Sequence, residues 1–405
     1  MLVKQRVLGI ALGYEDLNDH ETLRDDALLA LAAGQPDVLG AERRRERDRG
    51  HALAGKSTLN RLELHGAKES TRYWRIQHDG AAIERQFVAC FLDAYAAAPE
   101  SIVLDFDATD DPLHGNQEGR FFHGYYGHYC YLPLYVFCGD HLLVAKLREA
   151  NQDAAAGAVE ELARVVAQVR ARWPKVAITV RADSGFAREA LMAWCEANGV
   201  DYVLGLARNA RLQRAIGGAL HEAKQRSEAS QEAVRIYQEL DYRTRKTWTR
   251  SRRVVAKAEH LPGKANPRFV VTSLAAERYA AAPLYEQLYC ARGDMENRIK
   301  EQQLGLFADR TSTATLRANQ LRLWLSSMAS VLIAALRRTA LAGTELAKAQ
   351  AGTIRLRLFK IAALVRVSGR RIVLSLSSSY PLQALFSQAL ANLTSGSPRA
   401  PTPTA

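Results

Sequence analysis

A change of hydrophobic period at Ile102 constrains this chain more than any other feature. Before it, residues 1–100 carry Ala-, Leu- and Arg-rich windows such as Asp25–Ala33 and Ile83–Ala97, where apolar residues recur at three and four, the helical period. From Ile102 the period shortens. Ile102–Asp107 (IVLDFD) is a short apolar strand. Tyr131–Phe137 and Leu142–Leu147 are two more, joined by the hairpin signal Cys138-Gly139-Asp140-His141. Ala154–Arg172 returns to helical spacing and is closed by Pro174. Val176–Ala182 is a strand, Arg188–Asn198 a helix capped by Gly199, and Tyr202–Ala207 a strand.

An antiparallel hairpin start followed by right-handed crossovers predicts an α/β fold, a mixed sheet with helices on both faces. This is the strand order of the ribonuclease-H-like fold. Residues 208–283 interrupt it: Val234–Asp241, Trp248–Ala258 and Arg268–Leu274 look like strands, and Arg243, Arg245, Lys246, Arg250, Arg252 and Arg253 crowd among them. The economical description is an inserted basic β-rich subdomain. Helix resumes at about Leu284 and runs with breaks to about Ala342, and Ile354–Leu376 suggests a last helix or strand pair. The expected organisation is an N-terminal helical region (1–100), a first part of the core (101–207), the insertion (208–283), a second part of the core (284–345), a C-terminal region (346–393) and a Pro/Ser/Thr-rich disordered tail (394–405).

Charge narrows the choice of partner. Fifty-five Lys+Arg against 43 Asp+Glu leave a net +12, which suggests a polyanion, either nucleic acid or an anionic membrane surface. The membrane reading is weak, because the longest uncharged apolar stretch runs only from Leu323 to Leu336 and a spanning helix needs ~20 residues. Cys90, Cys130, Cys138, Cys195 and Cys290 are odd in number and contain no CxxC pair. The expectation is a soluble chain in a reducing cytoplasm.

Three constellations could carry chemistry. Gly50-His51-Ala52-Leu53-Ala54-Gly55-Lys56-Ser57 spells the phosphate-loop pattern. Such a loop must follow a buried strand, and Glu42–Arg49 cannot form one, so the match is dismissed. His114, His123, His128, Cys130, Cys138 and His141 are zinc-type ligands, but their spacings fit no common pair, and core cysteines with loop histidines are the simpler description. The third is acidic. Asp105 and Asp107 lie two apart on the first strand and share a face. Asp183 follows the fourth strand, which neighbours the first. A third carboxylate is expected on a packed helix, and Tyr289, Arg292, Glu296 and Lys300 fall on one helical face. An Arg-Glu-Lys ladder alone is commonly a surface salt-bridge stripe; joined to two strand-end aspartates it is more specific. Carboxylate-only ligation suits Mg²⁺ or Mn²⁺, and a pair of such ions can activate water or a 3′-hydroxyl and stabilise the leaving oxygen of a phosphodiester.

At these residues the sequence resembles a known group. The Y-x2-R-x3-E spacing of Tyr289, Arg292 and Glu296 is similar to the signature of DDE transposases of bacterial insertion sequences. Gly13-Tyr14-Glu15-Asp16-Leu17-Asn18-Asp19-His20, Asp107-Ala-Thr-Asp-Asp-Pro112 with His114-Gly115, Arg181-Ala-Asp-Ser-Gly-Phe186 and Arg292-Gly-Asp-Met-Glu-Asn-Arg298 resemble the insertion-sequence family numbered 1380, over about residues 6–390. The resemblance implies catalytic and metal-binding roles for Asp107, Asp183 and Glu296. Asp105 competes for the first position, and the Asp-x-Thr arrangement with Thr109 favours Asp107. It gives Tyr289 and Arg292 contacts to the transposon end. Where the family pattern often has a lysine seven after the glutamate, this chain has Gln303, and Lys300 is the candidate substitute. Ser57-Thr58-Leu59-Asn60-Arg61 matches a family helix start, in keeping with dismissal of the phosphate loop. Family members carry further residues before Gly-Tyr-Glu-Asp, so the resemblance implies a chain lacking part of its end-binding N-terminal region.

In related transposases the inserted β-subdomain helps hold a hairpin or a flipped base. Trp248, flanked by Lys246 and Arg250, is the candidate to stack on a base, and a core tryptophan is the alternative. The implied function is a Mg²⁺-dependent DNA transposase acting on terminal inverted repeats and target DNA, a homodimer on DNA, in the bacterial cytoplasm and nucleoid. A catalytically inactive DNA-binding relic and a stand-alone metal nuclease are the rival readings.

Overall fold

The computed structural model describes residues 1–64, 77–368 and 371–395. The N-terminal region holds helices α1 (Leu2–Leu12), α2 (His20–Leu23), α3 (Ala27–Ala32), α4 (Lys56–Glu63) and α5 (Gly80–Asp93). There follow β1 (Ser101–Ala108), β2 (Asp111–Pro112), β3 (Phe121–His123), β4 (His128–Tyr131), β5 (Leu134–Cys138) and β6 (His141–Lys146). Next come α6 (Ala158–Arg172), β7 (Ala177–Ala182), α7 (Glu189–Ala197) and β8 (Asp201–Leu206). Helices α8 (Ala210–Ala215) and α9 (Gly217–Ser230) lead to β9 (Val234–Tyr242), β10 (Arg252–Leu261), β11 (Lys264–Ala265) and β12 (Arg268–Thr272). The chain ends through α10 (Ala281–Pro283), α11 (Gly293–Leu306), α12 (Leu316–Arg338), α13 (Ala351–Ile354), the pair β13 (Ala363–Ser368) and β14 (Arg371–Leu376), and α14 (Gln383–Thr394).

The central sheet runs β11-β10-β12-β8-β7-β1-β5-β6, with β9 paired to β10. β1 is parallel to β7 and antiparallel to β5, so the sheet is mixed. Alternation along β1 assigns its faces. Leu104 and Phe106 point into a core shared with Leu162 and Val166 of α6 and Leu191 of α7. Asp105 and Asp107 point the other way, to the face where Tyr135 and Phe137 of β5 pack with Met295 and Ile299 of α11 and Leu321 and Leu325 of α12. Val203, Val255 and Val270 extend that second face to Leu284 and Tyr285.

Two differences from the sequence reading have physical causes. The run Tyr131–Phe137 is two strands, not one. Pro133 lies between β4 and β5 and has no amide to donate to a ladder. β4 leaves the central sheet for a small one of order β2-β4-β3. Nor does the stretch 208–283 form a β-subdomain of its own. Its start is helical (α8 and α9), and β12 pairs antiparallel with β8 from Phe269↔Leu206 to Thr272↔Val203. An apolar strand such as Phe269-Val270-Val271 is covered on both faces only by joining the main sheet. The expected tail begins as the end of α14, and residues 396–405 lie outside the described residues. Among the described residues, no helix is long and apolar enough to cross a membrane.

Candidate active site

Strand register assembles the first two carboxylates. Phe106 of β1 pairs with Ala182 of the parallel β7. Asp107 and Asp183 therefore follow side by side at the same sheet edge, on strands about 4.8 Å apart. Asp183 leaves β7 in extended conformation and caps the turn Ser184–Phe186, its Oδ1 accepting from the Gly185 amide at 2.9 Å. Its rotamer is thereby fixed by a local hydrogen bond.

The third comes from the helical run laid across this face. The run is not regular. Leu284–Tyr289 is a π turn and Cys290–Arg292 a 3₁₀ turn before α11 begins; π turns of this kind are frequent at functional sites. They bring the Tyr289 hydroxyl against Gly205 of β8, so close that a β-carbon at 205 would stand 2.6 Å from it. Arg292 is hydrogen-bonded to Tyr289 and lies 2.8 Å from the Glu296 carboxylate, itself 55% exposed.

The electrostatics show one coupled cluster. Burial pushes the Asp107 carboxyl up to about 7; Arg292 opposes this, and the negative charges of Asp183 and Glu296 reinforce it. Burial works against the charge of Arg292, yet Glu296, Tyr289, Asp107 and Asp183 outweigh it and hold the guanidinium above its ordinary pKa. Burial and Asp183 raise the Tyr289 phenol against the pull of Arg292, leaving it a hydrogen-bond donor at neutral pH. Three carboxylates thus act on one arginine, which contacts Glu296. Asp105, the competing candidate, is engaged elsewhere: Arg181 grips both its oxygens at 2.5 and 2.8 Å and donates onward to the Leu288 carbonyl at 2.6 Å.

The family described as transposase DDE domain group 1 matches residues 1–398. The chain belongs to this family. Among solved structures it is similar to a piggyBac transposase synaptic complex with hairpin DNA, at 11% identity and a TM-score of 0.37, over 78% of this chain and 75% of that one. No curated protein matches it.

The donor chemistry of the three acids fits a hard divalent cation: all offer carboxylate oxygens, and burial, with the negative charges of Asp183 and Glu296, raises Asp107 in the cation's absence. Their present separation does not, since among the described residues no three His, Cys, Asp or Glu side chains converge on one metal position. Glu296 is turned to Arg292 and would have to leave it to join the aspartates.

Other expected residues lie elsewhere. Lys300 is exposed on α11. Trp248 and Arg250 are not brought to the carboxylates, which corrects the stacking reading. Trp248 is 4% exposed and packs in the core on the opposite face of the sheet, its ring edge-on to Tyr242 and covered by Arg252. Arg250 pairs with Glu196 at 2.7 Å. Much of the basic charge of 208–283 is similarly paired: Arg252 with Glu189 and Glu196, Arg253 with Glu239, and Arg235 and Lys257 with Glu259.

The phosphate-loop spelling is a helix start without a preceding strand, and the Lys56 amide donates to Glu21 at 2.8 Å. His128 pairs with Asp110, while Cys130 and Cys138 are buried. Residues 121–129, Phe-Phe-His-Gly-Tyr-Tyr-Gly-His-Tyr, form an aromatic hairpin beside Asp107, whose sequence signal is the Gly-Tyr-Tyr-Gly turn between alternating aromatics.

Proposed function

We propose that this chain is a DDE transposase of a bacterial insertion sequence resembling family 1380, cutting DNA at the element's ends and joining the freed 3′-hydroxyl to target DNA. The observation that carries the reading is the Phe106↔Ala182 register, which sets Asp107 beside Asp183 with the helix of Glu296 over the same face. The order β6-β5-β1-β7-β8 supports a ribonuclease-H-like core.

Asp107 and Asp183, joined by Glu296 once it leaves Arg292, would be the residues to hold Mg²⁺ or Mn²⁺. Bound there, such ions supply an activated water or 3′-hydroxyl and stabilise the departing oxygen. Arg292 holds Glu296 while no DNA is present, and its planar fork suits a phosphate of the transposon end. Tyr289, protonated at neutral pH and pinned over Gly205, donates to the same backbone. Lys300, further along the helix, is placed for a more distant phosphate. The partners are terminal inverted repeats and target duplex, held by two copies of the chain in the cytoplasm.

The test is purified protein with Mg²⁺ on DNA carrying the element's ends. Strand cleavage should fall to background in Asp183→Asn and in Glu296→Gln, and intact cleavage in either variant overturns the mechanism. Joined products flanked by short target duplications identify transposition; cut ends alone identify a nuclease.

A further inference from the structure

Residues 111–131 project from the end of β1 as the small sheet β2-β4-β3, and its aromatic content is on the wrong side for a core. Phe122 and Tyr129 are cross-strand partners on one face, their rings 5.6 Å apart and nearly perpendicular. The Arg120 guanidinium lies 4.5 Å over the Tyr129 ring, held there by donation to the Gly115 carbonyl at 2.6 Å. At the tip, Gly124-Tyr125-Tyr126-Gly127 turns on the Gly127 amide, which donates to the His123 carbonyl at 2.8 Å. Tyr125 is 88% exposed and Phe122 58%. The space beside Gly124 and Gly127 is open, and the Tyr125 ring meets Tyr126 edge-on, centroids 5.1 Å apart. Rings this exposed bury little apolar surface on folding, and exposed aromatic patches mark interaction sites.

The opposite side anchors the ribbon to the carboxylates. Tyr126 packs, as does Ala108, on the cluster of Cys130, Leu132 and Ala150, and burial, with the charges of Asp110 and Asp107, raises its phenol. His128 is 2.8 Å from Asp110. The outer rings are therefore carried on a support fixed beside Asp107.

We propose that Phe122, Tyr125, Tyr129 and Arg120 form a nucleobase-binding site, which takes unpaired bases of the DNA strand next to the phosphodiester being cut. The proposal rests on the reading of Asp107, Asp183 and Glu296 as the cleavage centre. Free aromatic faces and a stacked guanidinium are the surfaces on which bases lie, and base stacking is tolerant of sequence. Base faces become available to such rings only outside the duplex. The rings stand on a narrow ribbon beside the acids with the Arg120 guanidinium stacked among them, a local cation and aromatic faces together, which favours DNA over a second copy of the chain.

The experiment is fluorescence anisotropy of full-length protein in chelator, with two probes at one salt concentration: a fully paired duplex, and the same duplex with unpaired bases at one end. The wild type should prefer the unpaired end by about 10-fold or more, in the range of a single ring–base stack. Phe122→Ala with Tyr125→Ala should erase the preference and leave paired-duplex binding in place, while Tyr125→Phe should retain it. The proposal is overturned if the wild type has no preference, if the double variant keeps it, or if both probes weaken equally. It is also overturned if the double variant changes only self-association in sedimentation, which would assign the face to a second copy. Cleavage assays on wild type and Asp183→Asn separate the two readings. Ring-independent binding with Asp183-dependent cleavage sinks the base site alone. Ring-dependent preference without cleavage by the wild type sinks the cleavage reading alone.

Discussion

Replacing Gly205 by alanine probes how tightly the sheet edge and the helical run are fitted. A β-carbon there would stand 2.6 Å from the Tyr289 hydroxyl, 2.9 Å from the Ser184 amide nitrogen and 3.1 Å from the Asp183 carbonyl carbon. The tyrosine can swing aside; the other two contacts are backbone and are relieved only if the main chain itself shifts. Restoring ordinary separations of ~3.5 Å requires the Asp183–Ser184 backbone to retreat by roughly 0.5 Å. Overpacking of this kind costs about 1–3 kcal/mol, a fall of roughly 1–4 °C in Tm for a chain of this size. Since a 1 Å misplacement can cost about 100-fold in rate, cleavage should drop on the order of 10-fold. Calorimetry and single-turnover cleavage read the two effects. Adding Tyr289→Phe relieves only the hydroxyl contact, so the double variant should regain part of the stability and none of the rate. Wild-type Tm and rate in Gly205→Ala would refute the argument.

Two further outcomes follow from the acids. Asp105→Ala leaves Arg181 buried without its partner and should cost about 3–5 kcal/mol. Asp107→Asn removes a carboxylate in a repulsive cluster and should hold or raise Tm in chelator while abolishing cleavage; equal melting of the two variants would show the assignment to be wrong. Asp111, fully buried, is pushed by burial to about 8, with Asp309 and Asp110 adding to the rise against a nearby Thr311 hydroxyl. Between the ordinary carboxylate range and pH 8 its folded state keeps a proton the unfolded state has lost, so stability falls as pH rises through that window. The Tm advantage of Asp111→Asn should grow from pH 5 to 8, and a constant difference refutes it.

The sequence was most legible where one period governed a whole element. Ile102–Asp107 alternates, and its two faces in the structure are the two its parity implies. The i, i+4 spacing of Arg292 and Glu296 likewise translates into an ion pair. Legibility fails where distant segments decide. Nothing local says that Phe269–Thr272 will pair with Val203–Leu206, because the ladder is made by backbone atoms that every residue carries. The π turn before Arg292 is equally silent, since it is imposed by packing on the sheet. Bulk charge misleads for a related reason: counting Arg252 or Arg253 as DNA-facing ignores the glutamates that folding sets against them.

The path of the chain through the sheet also orders its synthesis. Asp107 and Asp183 become neighbours as soon as β1 and β7 pair, but Glu296 and Arg292 arrive only after β9 to β12 have extended the sheet and the run above Gly205 has been laid down. A nascent chain that stops before Cys290 carries the two adjacent aspartates without Arg292 or Glu296. As segments emerge from the ribosome N-terminal first, the aspartate pair is available early and the helix of Glu296 is laid beside it late.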